Sequence, residues 1–456
     1  ALRQALEAND AAVRLALARG LSLVPVPIAG GVGDALCGLA ADADADVART
    51  ALAALTQHPT SAAVDVTLAA VHRPALRATA MRTLGALGSL AVPSITEALA
   101  RTEDEPRIAA ALSWALGHIG AQGAVTGLLR ALDAAHVEVR LSAAVALTTL
   151  QRKVRPLAIS ADDLHRRHLS ELAYYARMRD LTRAGLPTTP AARLLQRTAG
   201  QRGQASLECL FRLLAVRYPE ETIQGAFVAL SSSDRRQRQL AMELLDTVLE
   251  ASLRQAFTLA MGERPVRMRQ RDVETLLTLT GREGDAWMRR LAAAVLDDLE
   301  RGTAARSTQM NDPLLDRVLE LQAVTLFQES AAEDLAELAA LTSPVELPAG
   351  NTIFREGEPG DTMYVIRQGE VTLRAGPRVV EKLTDGDAFG IVSVLDRRPR
   401  EMSAVATSRV RLWSIEAEDL LQLLADRPLF MHSVFCALTD ALRSQVDRIG
   451  LGRRRV

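Results

Sequence analysis

The chain has 456 residues, 48% of them hydrophobic and 24% charged, enough apolar material for more than one core, so at least two domains are expected. Lys and Arg number 54 against 55 Asp and Glu, and the net charge of −1 excludes a chain that binds polyanions over its whole surface, leaving only local basic patches. Three widely spaced cysteines, Cys37, Cys209 and Cys436, make neither a disulfide framework nor a paired-cysteine metal clamp; they suit a reducing compartment and read as small buried apolar residues.

The chain opens at Ala1 without a methionine, which hints at a piece of something longer. The first apolar run, Leu21–Gly33, is too short to span a bilayer and carries Pro25 and Pro27; no secretory signal precedes it. Its glycines do not make a dinucleotide fingerprint, because the sixth position counted from Gly31 is Leu36 and no strand–helix–strand unit follows. From Ala41 to Leu150 the sequence repeats. Leu55, Leu84, Leu116 and Leu147 recur 29, 32 and 31 residues apart, with Ala51, Ala80, Leu112 and Ala143 four positions earlier. Ala48, Arg77, Ala109 and Arg140 lie seven positions before those leucines, so each copy carries one helical apolar stripe. A second apolar helix follows in each copy, as in "AVPSITEALA", and a helix pair of this kind cannot bury its stripe without neighbours. The offsets recur at Arg238, Ala241 and Leu245, and at Arg289, Ala292 and Leu296. These units resemble short bacterial HEAT repeats over roughly residues 40–300, and the resemblance implies a curved α-solenoid scaffold.

Within the repeats, Leu186–Gln204 carries turn formers and reads as an insertion or long loop, and Ala158–Gln204 fits the repeat poorly. His165 and His168 stand three apart, as a metal pair would, but arginines crowd them and no further ligand is evident, so a solvated helix face is expected. The basic run Gly262–Asp272 reads as an exposed loop or helix edge. Trp114 and Trp287 fall in the repeat stripes and are assigned to the core, and Arg77 and Arg140 to bracing adjacent repeats. Arg301–Pro313 looks like a linker, which sets the expected division at 1–300 for the helical repeats, 301–313 for the linker and 314–456 for the second domain.

After Leu341 the period changes from helical to alternating. Met363–Ile366 and Val371–Leu373 are short apolar runs divided by Gly357, Gly360, Gly369 and Gly376, the pattern of a β-meander. Ser330 and Glu333 before it are spaced as a capping box, and a helical stripe resumes from Glu416 to Ile449. In their order, "LFQESAAEDLAELA", "LPAGNTIFREGEPGDTMYVIRQGEV", "GDAFG", "PR" and the closing helices resemble the cyclic-nucleotide-binding domain family over residues 326–449. The fold class expected for the whole chain is therefore mainly α with a small α+β domain, a HEAT-type α-solenoid followed by a β-roll with flanking helices.

The resemblance implies a phosphate cassette. Phe389 and Gly390 match the entry of a short helix whose backbone N–H groups face the cyclic phosphate, Arg400 after Pro399 matches the countercharge, and Ser403 matches a hydroxyl beside it. Three positions depart from the family: Ile391 stands where a glutamate bonds the ribose hydroxyl, Glu401 where a small or hydroxylated residue is usual, and Met402 where alanine is common. A lost hydrogen bond to a charged partner costs about 1.5–3 kcal/mol. A carboxylate about 5 Å from the phosphate would cost roughly 3 kcal/mol more, unless Glu401 turns away or pairs with Arg397, Arg398 or Arg400. Together these would weaken cAMP or cGMP by on the order of a thousandfold, so no cofactor is required and cyclic nucleotide is doubtful. With no P-loop and no catalytic triad or carboxylate pair in evidence, a non-catalytic regulatory or scaffold module is expected; the alternatives are a working sensor of cyclic nucleotide or another phosphorylated ligand, and a purely protein-binding solenoid.

Leu210–Leu249 also resembles the soluble C-terminal part of bacterial ATP/ADP-translocase-like transporters fused to HEAT repeats and a cyclic-nucleotide-binding domain. That likeness implies a protein partner or membrane-transporter domain, and a place in the cytoplasm at the cytoplasmic face of a membrane. Nucleic acid is not an expected partner, and no transmembrane segment is evident.

Overall fold

A computed structural model describes residues 10–24, 31–102, 105–232, 234–262, 268–301 and 312–453. The expected linker is therefore mostly outside the described residues, as are Pro25, Pro27 and residues 263–267 of the basic run. The chain divides into two compact units, one of Ala1–Leu186 and Leu195–Arg289, the other of Pro187–Leu194 and Arg290–Val456.

The helices run in order α1 (Ala11–Ser22), α2 (Val32–Ala40), α3 (Ala45–Ala54), α4 (Ser61–Val71), α5 (Pro74–Leu87), α6 (Val92–Arg101), α7 (Pro106–Ile119), α8 (Ala124–Ala131), α9 (Val137–Lys153), α10 (Ala161–Arg183), α11 (Pro190–Arg217), α12 (Glu220–Leu230), α13 (Arg235–Val248), α14 (Ala251–Met261), α15 (Gln270–Glu283) and α16 (Ala286–Arg301). Local chemistry sets their starts. The side chains of Asp10, Asp44, Thr60, Ser160 and Asp234 accept backbone N–H bonds at the first turn, and Pro74 and Pro106 occupy first-turn positions where no donor is lost.

The repeated leucines Leu55, Leu84, Leu116 and Leu147 are all fully buried, as are Ala51, Ala80 and Ala143. A second mark of equivalence recurs beside them. Arg77 donates to the Val71 carbonyl at 2.9 Å, Arg140 to the Ala134 carbonyl at 2.9 Å and Arg238 to the Ser232 carbonyl at 2.9 Å. In each case the acceptor lies six residues upstream, just ahead of the helix that carries the arginine, so the guanidinium ties a helix to the turn that feeds it. Arg140 also reaches the next copy, where its Nε donates to Glu171.

Three expectations are corrected. Residues 190–204 are helix and not loop, because Pro190 opens α11 and Ala191, Ala192, Leu195 and Ala199 are buried along it. The capping box does not form, since α18 (Ala332–Ala340) begins after Ala331 and Ser330 is buried with its hydroxyl 3.0 Å from that of Ser433. Cys436 is exposed, Cys37 is half-buried, and only Cys209 is a core residue. Pro74–Arg101 has the length and apolarity of a membrane span. It is two helices joined by a 3-10 turn at Gly88–Ala91, and Leu76, Leu84, Ile95 and Leu99 are buried in the first unit.

The second unit contains α17 (Pro313–Ala323), α18 and eight strands: β1 (Ser343–Leu347), β2 (Thr352–Phe354), β3 (Thr362–Gln368), β4 (Val371–Ala375), β5 (Arg378–Leu383), β6 (Ala388–Phe389), β7 (Ser403–Ala406) and β8 (Val410–Glu416). They form two antiparallel sheets of order β1-β8-β3-β6 and β2-β7-β4-β5. A short helix, α19 (Ile391–Asp396), interrupts the strands, and α20 (Ala417–Asp426) and α21 (Pro428–Arg453) follow them. Phe354, Ile366, Val371, Phe389, Ala404 and Leu412 belong to the cluster that fills the β-roll. Glu320 of α17 docks on it, accepting from Arg367 at 2.9 and 2.8 Å and from the Trp413 ring nitrogen at 2.7 Å. Arg427, between the last two helices, pairs with Asp334 at 3.0 Å and with Glu337 of α18.

Candidate functional site

Arg400 lies on the segment that leads from α19 into β7, and its backbone is pinned before its side chain does anything. Its N–H donates to the Glu358 carbonyl and its carbonyl accepts from the Gly357 N–H, both at 2.8 Å. The side chain then turns inward and is 4% exposed. Nη1 donates to the Gly390 carbonyl at 2.9 Å, Nη2 donates to the Thr362 carbonyl, and the guanidinium carbon stands 4.2 Å from the centroid of the Phe354 ring. Nε is buried without a partner. Burial is the main influence on this guanidinium and lowers its pKa, with Tyr364, Asp361 and Glu358 acting the other way. A guanidinium remains protonated in a protein all the same, so the site holds a cation with one unmet donor.

Gly390 is required here. It has φ of +81°, and a Cβ on it would stand 2.7 Å from Nη1 of Arg400 and 3.2 Å from the Thr362 carbonyl. Phe389 pairs across the sheet with Tyr364, and the rings of Phe354, Tyr364 and Phe389 lie 5.3–6.1 Å apart, which makes an aromatic base under the arginine. Burial raises the Tyr364 hydroxyl pKa, so the phenol stays neutral and available as a donor.

The remaining sequence candidates fall around this centre in different ways. The Ser403 hydroxyl accepts from the Glu356 N–H at 2.9 Å and keeps its own proton to donate. Ile391 is buried in the first turn of α19, and Met402 packs against the interior of the roll. Glu401 is exposed and pairs with none of Arg397, Arg398 or Arg400; Arg398 is paired with Asp396 at 3.9 Å instead. Phe354, Tyr364 and the Thr362 carbonyl were not among the sequence candidates. Nothing local marks them, since they meet Arg400 through the pairing of strands distant in sequence.

Elsewhere the candidates are structural. Among the described residues no group of three His, Cys, Asp or Glu side chains could hold a metal. His168 is buried, not solvated as expected, with one ring nitrogen bonded to the Leu213 backbone and Nε2 without a partner. Burial lowers its pKa to about 4. His165 instead faces Glu250 at 3.8 Å. Trp287 is buried, and Trp114 packs on the core with its ring 3.7 Å from that of His118. Arg140 and Glu171 form a buried pair that Ser206 completes at 2.6 Å, consistent with bracing between neighbouring helices.

Residues 344–427 match the cyclic nucleotide-binding domain family, and the C-terminal part of the chain is such a domain. Over 123 residues the chain is 36% identical to a CRP-like cAMP-activated global transcriptional regulator of Mycobacterium tuberculosis, covering 26% of this chain and 55% of that protein. A cyclic nucleotide-gated potassium channel of Mesorhizobium japonicum is 31% identical over 142 residues, 31% of this chain and 37% of the channel. A cAMP-dependent protein kinase regulatory subunit of Aspergillus niger is 32% identical over 108 residues, 23% of this chain and 26% of that subunit. The chain thus spans about half or less of the relatives it matches. Among solved structures, the N-terminal domain of a transcriptional regulator from Streptomyces coelicolor A3(2) is similar at 32% identity, with a TM-score of 0.26, over 28% of this chain and 94% of that one.

Proposed function

We infer that the chain is a non-catalytic regulatory module in which a helical-repeat scaffold carries a β-roll domain whose anion-binding half is intact and whose sugar-reading half is not. The observation that carries this reading is Arg400: buried, fixed at both backbone ends, stacked on the Phe354 ring and left with an unmet Nε donor. Burying a cation without full pairing costs stability, which makes sense where a ligand anion completes the pairing. Ser403 and Gly390 support the same half of the site. On the sugar side, Ile391 is buried and apolar and supplies no acceptor for a hydroxyl. Glu401, being exposed, imposes less of the like-charge penalty than a carboxylate held against the phosphate would. Cyclic nucleotide therefore binds weakly, through its phosphate.

The helical unit serves as the scaffold in this reading, with HEAT-type repeats supported by the recurring buried leucines and the arginine tie to the turn six residues upstream. Attachment to a nucleotide-transporter domain at the cytoplasmic face of a membrane fits the same reading.

Isothermal titration of the full chain with cAMP and cGMP tests the site. Dissociation constants above about 100 μM are expected, with binding lost in Arg400→Ala and tightened about tenfold or more in Ile391→Glu. Native affinity of a micromolar or better would end the claim of a weakened pocket. Binding indifferent to Arg400→Ala would remove the site altogether.

A further inference from the structure

The helical unit holds a recess that neither the β-roll nor the repeat scaffold accounts for. Between α9 and α10 the chain leaves helix, and there a cavity of about 470 Å³ opens, lined by Pro156, Leu157, Ile159, Leu164 and Val216, with Arg155 and Arg217 also on its wall. Its frame is fixed. Gln151 donates to the Val216 carbonyl at 2.8 Å, and Arg155 donates through Nε to the Gln151 carbonyl at 3.0 Å. Arg217 is neutralised by Glu250. Arg155 is exposed, and among the described residues no carboxylate pairs with it. No residue lining the cavity is acidic. An apolar hollow of ligand size with one uncompensated cation and no anion on its wall selects by shape and by charge at once.

We propose that this cavity is a binding site for a small amphipathic anion, a carboxylate on an apolar body of roughly ten carbons, with the chain against Leu157, Ile159 and Val216 and the head group on the free Nη donors of Arg155. The site is independent of Arg400 and of the reading given to the β-roll.

Titration of the full chain with decanoate, and with decylamine as a probe of equal length and opposite charge, decides it. One saturable decanoate site per chain is expected, with decylamine at least tenfold weaker. Arg155→Ala should weaken decanoate about tenfold, the loss of one charge-assisted contact; because it also removes the bond to the Gln151 carbonyl, Arg155→Lys, which keeps the charge, should retain most of the affinity. Arg155→Glu should reverse the preference between the two probes, and Ile159→Trp, which fills the hollow, should abolish both. Because Ile159→Trp could disturb the segment it sits on, the charge reversal is the deciding variant. No saturable binding by the native chain, equal affinity for the two probes, or a preference unmoved by Arg155→Glu would each overturn the proposal.

Discussion

Glu401 and Ile391 lie ten residues apart and act on a bound anion at very different strengths. Glu401 is exposed and has no ion pair among the described residues, so its field at Arg400 is carried through water and salt. Glu401→Ala is accordingly expected to change cyclic-nucleotide affinity by less than about threefold, measured beside Ile391→Glu, which should matter more. A larger effect of Glu401→Ala would place the carboxylate against the ligand. His168 gives a pH prediction of a different kind. Its pKa is lowered to about 4 by burial, so between the ordinary value near 6.5 and about 4 the unfolded chain binds a proton that the folded chain refuses. The stability is therefore level well above pH 6.5 and falls as the pH drops through that window, by about 1.6 kcal/mol between pH 6.5 and 5. Urea unfolding of the native chain and of His168→Leu at those two pH values checks it, and the variant should lose about that much of the pH dependence. An unchanged slope would show that the imidazole titrates alike in the folded and unfolded chains, so that burial does not shift it.

At the scale of the helices, the arginines at one repeat position make one shared bond and differ in the rest. Arg238 is half-buried and ties the Ser232 carbonyl, whereas Arg140 is buried, stands 4.4 Å from the centre of the Tyr174 ring and pairs with buried Glu171. Removing one partner of a buried ion pair strands the other, so Arg140→Ala should cost about 3–5 kcal/mol, and Arg238→Ala, at a half-buried site, less. Replacing both Arg140 and Glu171 by Met and Leu should recover most of the larger loss. Denaturant unfolding of the four chains measures this, and equal costs for the two arginines would contradict it. The repeat itself was legible in the sequence because a leucine every 29–32 residues needs only a period to be seen. The same sequence misled at Leu186–Gln204, where Gly200, Gly203 and two prolines suggested a loop. Gly203 lies within α11, where a Cβ would make only an ordinary contact with Met178 at 3.4 Å, so the glycine marks no turn and the helix runs through it. In the β-roll, Arg400, Gly390 and Ser403 could be named from local order. The Thr362 carbonyl and the Phe354 ring could not, because strand register alone brings them to the arginine.

For the molecule as a whole, the division into two compact units has a consequence that the site makes measurable. Each unit has its own buried cluster, one running through Leu55, Leu84, Leu116 and Leu147 and one through Ile366, Phe389 and Leu412. Separate cores of this size are expected to melt as separate transitions in calorimetry. A ligand that binds at Arg400 stabilises the unit that contains it by RT ln(1 + [L]/Kd), about 2.7 kcal/mol at a hundred times Kd. A weak site reaches that level only at millimolar ligand and above, which is why titration at micromolar ligand would miss it. Raising cAMP into that range should move the transition of the β-roll unit upward and leave that of the helical unit in place, and Arg400→Ala should erase the movement. Decanoate should do the converse, shifting the helical unit and leaving that of the β-roll in place. If either ligand moves both transitions by the same amount, the two cores unfold as one; if cAMP moves neither at any concentration, the guanidinium of Arg400 is spent on Gly390, Thr362 and Phe354 and has nothing left for a ligand.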